Sequence, residues 1–237
     1  ASERGYLRET GNLVFHVALI GVLISAGVGG GLTYTGQAVF QKGESFVNSL
    51  GLGYNTFNPG RFVDTEALPP YTMTLDDFHV DYVPLGEKNA GHAGNYAADV
   101  TVQKPGEEPY QDTIRVNHPI TVEGERIYLM TNGYAPTITV RNPEGEIVFR
   151  EKVNFLPQDE RMTSLGFVKV TDGLADQVGL VGFLYPTAYE GHDGAYTSMY
   201  PDLLSPMLSF QVYKGDLGID DGTPRSVYAL DTTGMTQ

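Results

Sequence analysis

Five histidines and no cysteine set the terms on which this 237-residue chain can do chemistry. Without thiols there is no disulfide, no thiolate metal site and no cysteine nucleophile. The sequence also lacks a GxSxG elbow, a P-loop and an HExxH helix, so no autonomous catalytic motif is visible. His79 stands between Asp77 and Asp81, a grouping that could hold a cation but also has the pattern of a solvated outer strand face. His92 and His192 are each flanked by glycines at what read as loop tips, and His118 precedes Pro119 at a strand start; none has a partner at ligand spacing.

His16 has a different setting. From Thr10 through Gln41 there is no Asp, Glu, Lys or Arg. A protonated imidazolium is costly in such a run, and a neutral one wants a partner. Three uses remain open from the residues alone: a hydrogen bond to a neighbouring helix, a proton relay, or an axial bond to haem iron, for which neutral imidazole is a common ligand. At helical spacing His16 shares a face with Ile20, Leu23, Gly27 and Gly30 or Gly31, a surface suited to a flat apolar ligand or a close helix contact. Gly27 and Gly31 also have the GxxxG spacing of helix packing.

The element that must position His16 is the twenty-residue run Leu13–Leu32, LVFHVALIGVLISAGVGGGL. At about 1.5 Å per residue it covers roughly 30 Å, the thickness of a bilayer's hydrocarbon core. It reads as a transmembrane helix. A signal peptide would have a shorter apolar region, and a buried helix of a soluble domain would show a polar stripe. Arg4 and Arg8 precede the run, while the other side stays uncharged to Lys42, so the basic flank should face the cytoplasm. The chain carries a net charge of −14, and removing the four flanking charges leaves that value unchanged. The acidic mass thus belongs outside the cytoplasm, and a polyanion such as nucleic acid would be repelled.

After the helix, short alternating runs predict strands: Tyr71–Leu75 with Phe78–Tyr82, Ala98–Val102, Ile114–Val116, Ile138–Val140, Ile147–Phe149 and Leu208–Val212. Glu123-Gly124 and Asn142-Pro143-Glu144-Gly145 have the composition of hairpin turns. The expected fold is mainly β: one transmembrane helix followed by a large antiparallel β-rich domain of sandwich or open-barrel type. Residues 1–12 are expected as a cytoplasmic flank, 13–33 as the membrane helix and 34–237 as one extracytoplasmic domain. Helical turns are expected near Asp64–Leu68, Leu174–Val178 and Ser198–Leu203.

The run Arg8-Glu9-Thr10-Gly11-Asn12-Leu13-Val14-Phe15-His16-Val17-Ala18-Leu19 resembles the "RExGNLxFHxxL" opening of the last transmembrane helix before the extracytoplasmic domain in the ResB family of cytochrome c biogenesis proteins. Similar stretches follow in order: Gly43-Glu44-Ser45-Phe46, Phe57-Asn58-Pro59-Gly60-Arg61-Phe62, Leu75-Asp76-Asp77-Phe78, Val116-Asn117-His118-Pro119-Ile120, Tyr128 through Pro136, Phe155-Leu156-Pro157-Gln158-Asp159, and Tyr213-Lys214-Gly215-Asp216-Leu217-Gly218. The resemblance covers most of the chain.

What the resemblance implies is a subunit of the System II cytochrome c synthase in the bacterial plasma membrane. Such a subunit works with a ResC/CcsA-type membrane partner to carry haem b across the bilayer and present it for attachment to CXXCH motifs of apocytochrome c. His16 would be one axial ligand of the haem iron, with the opposing histidine and a tryptophan-rich haem-binding segment supplied by the partner; this chain itself has no Trp. The family carries further membrane helices before and after these segments, so the sequence is expected to be a piece of a longer protein. The alternative from another class is a membrane-anchored extracytoplasmic binding or scaffold module without haem.

Overall fold

The apolar run Leu13–Leu32 folds within one helix, α1, spanning Tyr6–Leu32. The computed structural model describes residues 6–218 and 228–237, so the expected flanking charge Arg4 lies outside the described residues. The helix begins before the apolar run and ends with it. Within it, Thr10–Leu32 is long and apolar enough to cross a membrane, and none of the span is buried by the rest of the chain. A helix apolar on all sides needs an apolar environment rather than one apolar neighbour.

The remainder is β structure, as the alternation predicts. Its strands are β1 (Tyr34–Gln37), β2 (Ser45–Val47), β3 (Thr56–Pro59), β4 (Thr72–Tyr82), β5 (Ala93–Gln103), β6 (Tyr110–Arg115), β7 (Ile120–Val122) and β8 (Glu125–Ile127). They continue through β9 (Thr137–Arg141), β10 (Ile147–Lys152), β11 (Leu156–Pro157), β12 (Ser164–Val170), β13 (Val178–Tyr185), β14 (Ala188–Glu190), β15 (Tyr196–Ser198) and β16 (Met207–Lys214). The named pairings are antiparallel, in small open sheets rather than a closed barrel.

Contacts divide the chain into two compact units, one of residues 1–77 with 99–112 and one of residues 78–98 with 113–237. In the first, β1 leaves the helix and pairs with β3, Tyr34 opposite Pro59 and Gln37 opposite Thr56. Strand β2 pairs with the start of β4, placing Phe46 opposite Met73, both buried. A run of rings fills this unit: Tyr34 against Phe57, Phe57 against Tyr54, Tyr54 against Phe46, with centroids 4.9 to 5.1 Å apart. Gly36 allows this, since a Cβ there would fall 2.2 Å from the Tyr54 ring.

The second unit is built on the sheet β11-β12-β13-β16. Its strands alternate as a half-buried pleat must, β12 burying every second residue from Ser164 to Val170. Val168, Val170, Val178 and Ile138 form the core beneath Val140, Phe149 and Leu208. Gly166 and Gly182 face each other across β12 and β13. Their missing side chains leave a slot for the Phe155 ring, which is 1% exposed and lies 2.6 to 3.0 Å from where the two Cβ atoms would be.

The turns follow their chemistry. Glu123 and Gly124 both take positive φ, 49° and 86°, between β7 and β8, the conformation a two-residue primed turn needs. The Asn142 side chain accepts from the Glu146 amide at 2.8 Å and closes the β9–β10 connection. Of the three expected helical turns, one forms: a 3₁₀ helix at Thr65–Ala67, started by the Asp64 carboxylate accepting from the Glu66 amide. Residues 174–177 form a bend and linker into β13 instead. Gln177 is committed elsewhere, its carbonyl to the Gly215 amide and its side-chain oxygen to the Leu217 amide. Residues 199–203 are also bent, with the Asp202 side chain accepting from the Leu203 amide and competing with helix formation.

Candidate functional site

His16 sits between Phe15 and Val17, exposed on α1, with Asn12 one turn before it and Ile20 one turn after. Its Nδ1 lies 2.8 Å from the Asn12 carbonyl oxygen, one helical turn back. A carbonyl can only accept, so Nδ1 carries the hydrogen and donates. In the neutral ring Nε2 then holds the free lone pair and points away from the helix backbone. Metal-ligating histidines have this arrangement, one ring nitrogen donating to a carbonyl or carboxylate while the other binds. The Phe15 ring meets the imidazole edge-on, with centroids 5.5 Å apart. Gly21 and Gly27 have open space where a Cβ would be, so none of the described residues covers the helix there.

The end of α1 is tied down, which the sequence reading missed. The last carbonyls of a helix have no partner within it. Here the Thr33 hydroxyl donates to the Gly29 carbonyl at 3.2 Å. The Phe62 amide donates to the Gly31 carbonyl, and the Gly60 amide to the Thr33 carbonyl, both at 2.8 Å. Gly60 must be glycine, because a Cβ there would fall 2.5 to 2.6 Å from three carbonyl oxygens of Gly30, Gly31 and Thr33. The stretch Phe57–Phe62 already stood out in the sequence, but its contact with the helix end has no local signal.

The other histidines are placed as the plainer readings have them. His79 is exposed on β4, and its neighbour Asp77 accepts an ion pair from Lys42 at 2.6 Å. His92 is at an exposed turn whose backbone bonds to Val83 and Asn89. His192 is exposed at the tip joining β14 to β15, and His118 exchanges two backbone bonds with Arg115 around the Val116-Asn117 turn. Among the described residues no group of three or more His, Asp or Glu could hold a metal ion.

Each β unit has one further feature with polar side chains. An open cleft of about 440 Å³ in the first unit is lined by Phe40, Phe46, Leu52 and Tyr54. Its acidic member, Glu44, accepts from the Gln41 amide at 2.8 Å, and Tyr54 donates to the buried Asn48. The second unit holds a tyrosine network. Tyr134 donates to the Pro201 carbonyl at 2.6 Å, Tyr200 to the Val83 carbonyl at 3.1 Å, and Asn132 to the Tyr82 hydroxyl at 3.3 Å. Burial pushes the Tyr134 phenol well above its ordinary pKa, with Tyr82 and Asp202 adding to the effect. Burial raises Tyr82 as well, opposed by the Asn132 bond. These hydroxyls are engaged in holding loops together, and Asp202 is a charged neighbour of both Tyr82 and Tyr134.

The family described as ResB-like matches residues 1–237. A cytochrome c biogenesis protein CcsB from Synechococcus sp. (strain WH7803) is 29% identical over 131 residues, 54% of this chain and 25% of that protein. Proteins of the same name from Synechococcus sp. (strain JA-3-3Ab) and Picosynechococcus sp. (strain ATCC 27264 / PCC 7002 / PR-6) are 25% and 26% identical over 129 residues, again 54% of this chain. The matches span about a quarter of the length of these relatives. No solved structure matches the chain.

Proposed function

This chain belongs to the ResB-like family, and on that premise we propose that it serves cytochrome c maturation as a membrane subunit that ligates haem in transit. The large β part, residues 34–237, stands on the extracytoplasmic side of a bacterial plasma membrane, with α1 crossing the bilayer and its basic start toward the cytoplasm. Haem is the substrate carried, and its vinyl groups form thioethers with cysteines that belong to the apocytochrome. A ResC/CcsA-type membrane protein provides the second axial histidine.

The observation that supports this reading is the state of His16: an imidazole in the uncharged part of a membrane-length helix, with Nδ1 held by the Asn12 carbonyl and Nε2 left to bind. The residues fit haem by their chemistry. A neutral imidazole supplies the iron ligand, while Ile20, Leu23 and Gly27 offer apolar surface to a macrocycle. At about 1.5 Å per residue His16 lies roughly 24 Å along the helix from Leu32, which puts it inside the hydrocarbon layer on the side where haem would enter. The chain's own residues thus bind and orient the cargo, and the Asn12 carbonyl fixes the tautomer that can do so.

The test is the visible spectrum of the protein purified with its membrane partner in mild detergent. Wild type should carry a Soret band and mature a co-expressed c-type cytochrome. The His16→Ala protein should lose both, with partial recovery on adding imidazole. Unchanged haem content in that variant would sink the assignment. The alternative, an anchored scaffold without haem, predicts no Soret band in either protein.

A further inference from the structure

The segment Pro59–Val63 brings an apolar side chain from outside α1 to the level of the helix's last turn. The height of Phe62 is set twice: its amide donates to the Gly31 carbonyl at 2.8 Å, and its ring lies over Gly31, 2.6 Å from where a Cβ would stand. Yet Phe62 is 62% exposed. Charge resumes on both sides of it, at the exposed Arg61 and Asp64. An aromatic ring held beside the end of a membrane-length apolar helix, with charged neighbours, occupies the depth at which aromatic side chains anchor proteins in bilayers. Other exposed apolar residues of this unit, such as Leu52 at 81% exposure, have no such tie to the helix.

We propose that the Gly60–Phe62 bend is a lipid contact, with Phe62 seated in the interfacial layer of the bilayer next to α1 and the Arg61 guanidinium at the level of the lipid phosphates. The occupant is phospholipid because the apolar surface of Phe62 is continuous with that of the helix end, most of which no other described residue covers. The bend bonds to the Gly31 carbonyl in the last turn and to the Thr33 carbonyl just past it, so ring and helix hold one depth. This would fix where α1 leaves the membrane and hence how deep His16 lies. The proposal rests on α1 spanning the bilayer.

The chain has no tryptophan, so a single introduced one reports alone. Three proteins, Phe62→Trp, Val22→Trp and Leu52→Trp, are reconstituted in phosphatidylcholine–phosphatidylglycerol vesicles. Each is quenched in turn by aqueous iodide, by lipids carrying a nitroxide near the headgroup, and by lipids carrying one deep in the chain. Phe62→Trp should show blue-shifted emission, resist iodide and respond most to the shallow nitroxide. Val22→Trp should respond to the deep one, and Leu52→Trp to iodide alone. If Val22→Trp meets the lipid labels while Phe62→Trp is quenched by iodide like Leu52→Trp, the lipid contact is overturned. Protection of Phe62→Trp from iodide and from both lipid labels overturns it in favour of a protein contact. If Val22→Trp also escapes the lipid labels, the spanning reading falls and the proposal with it.

Discussion

The helix α1 and the unit of residues 78–98 and 113–237 treat most of their polar groups in opposite ways, although the buried Thr163 hydroxyl of that unit has no hydrogen-bond partner among the described residues. In the β unit the buried hydroxyls of Ser164, Ser198 and Tyr134 each have a backbone carbonyl within reach, and Phe155 fills a slot cut for it by two facing glycines. On the helix, His16 uses one nitrogen on its own backbone, and the other meets no partner among the described residues. Groups with every valence satisfied explain a fold. A polar group with one valence free, on an apolar surface that no described residue covers, calls for something from outside.

The contrast is sharpest at Phe155. Replacing it with alanine empties a slot lined by Gly166, Gly182 and Phe210, and emptying a buried aromatic site costs about 3–5 kcal/mol. Urea unfolding of the detergent-solubilised chain should show a loss of that order. A loss near zero would mean the slot collapses freely and the unit is not held as described.

Next comes Tyr134→Phe. It removes the hydroxyl that donates to the Pro201 carbonyl and leaves that acceptor with one partner fewer, for a cost of about 1–3 kcal/mol. The pH dependence has a definite sign. Burial raises the folded pKa of Tyr134 above the unfolded value of about 10. The wild-type contribution is therefore fully present below pH of about 10 and fades as the pH rises beyond it toward the folded value. Wild type should lose stability on alkaline titration in that range, and Tyr134→Phe should lose less. Parallel curves for the two proteins would remove the tyrosine from the account.

How much of this could be read beforehand depends on how far apart the partners are in sequence. The antiparallel strands and the Glu123-Gly124 turn were legible because alternation and positive-φ residues are local signals. His16 was legible as an odd residue in an uncharged run, and the Asn12 carbonyl is one turn away by helical periodicity. Gly60 and Phe62 reach the helix end across about thirty residues, and Tyr82, Tyr134 and Tyr200 meet from three distant loops; no pattern in the chain announces either. The expected turns near Leu174 and Ser198 failed because Gln177 and Asp202 bond to other segments and side chains in preference to a helix.

A weaker test concerns surface charge. Lys42 and Asp77 are paired at 2.6 Å, but their side chains remain 63% and 41% exposed. Exposed pairs contribute about 0.2–1 kcal/mol and are screened by salt. Lys42→Met should shift the unfolding midpoint slightly at low salt and not measurably at high salt. A larger, salt-independent loss would mean that the pair is structural in the same sense as the tyrosine network.

The smallest effect on stability is expected where the largest effect on function is proposed. Among the described residues His16 packs against no other element and bonds to its own helix, and alanine is the better helix former. His16→Ala should therefore leave the unfolding of the β units unchanged while removing bound haem. The orientation of the wild-type ring can be checked without haem: nitrogen NMR of labelled histidine in detergent should find Nδ1 protonated and Nε2 bare. A ring protonated chiefly on Nε2 would mean that the Asn12 carbonyl does not hold it, and a destabilised alanine variant would place His16 among the satisfied groups of the fold. Intact stability with a bare Nε2 leaves the imidazole no task inside the chain, so its partner has to come from the membrane or from the protein beside it.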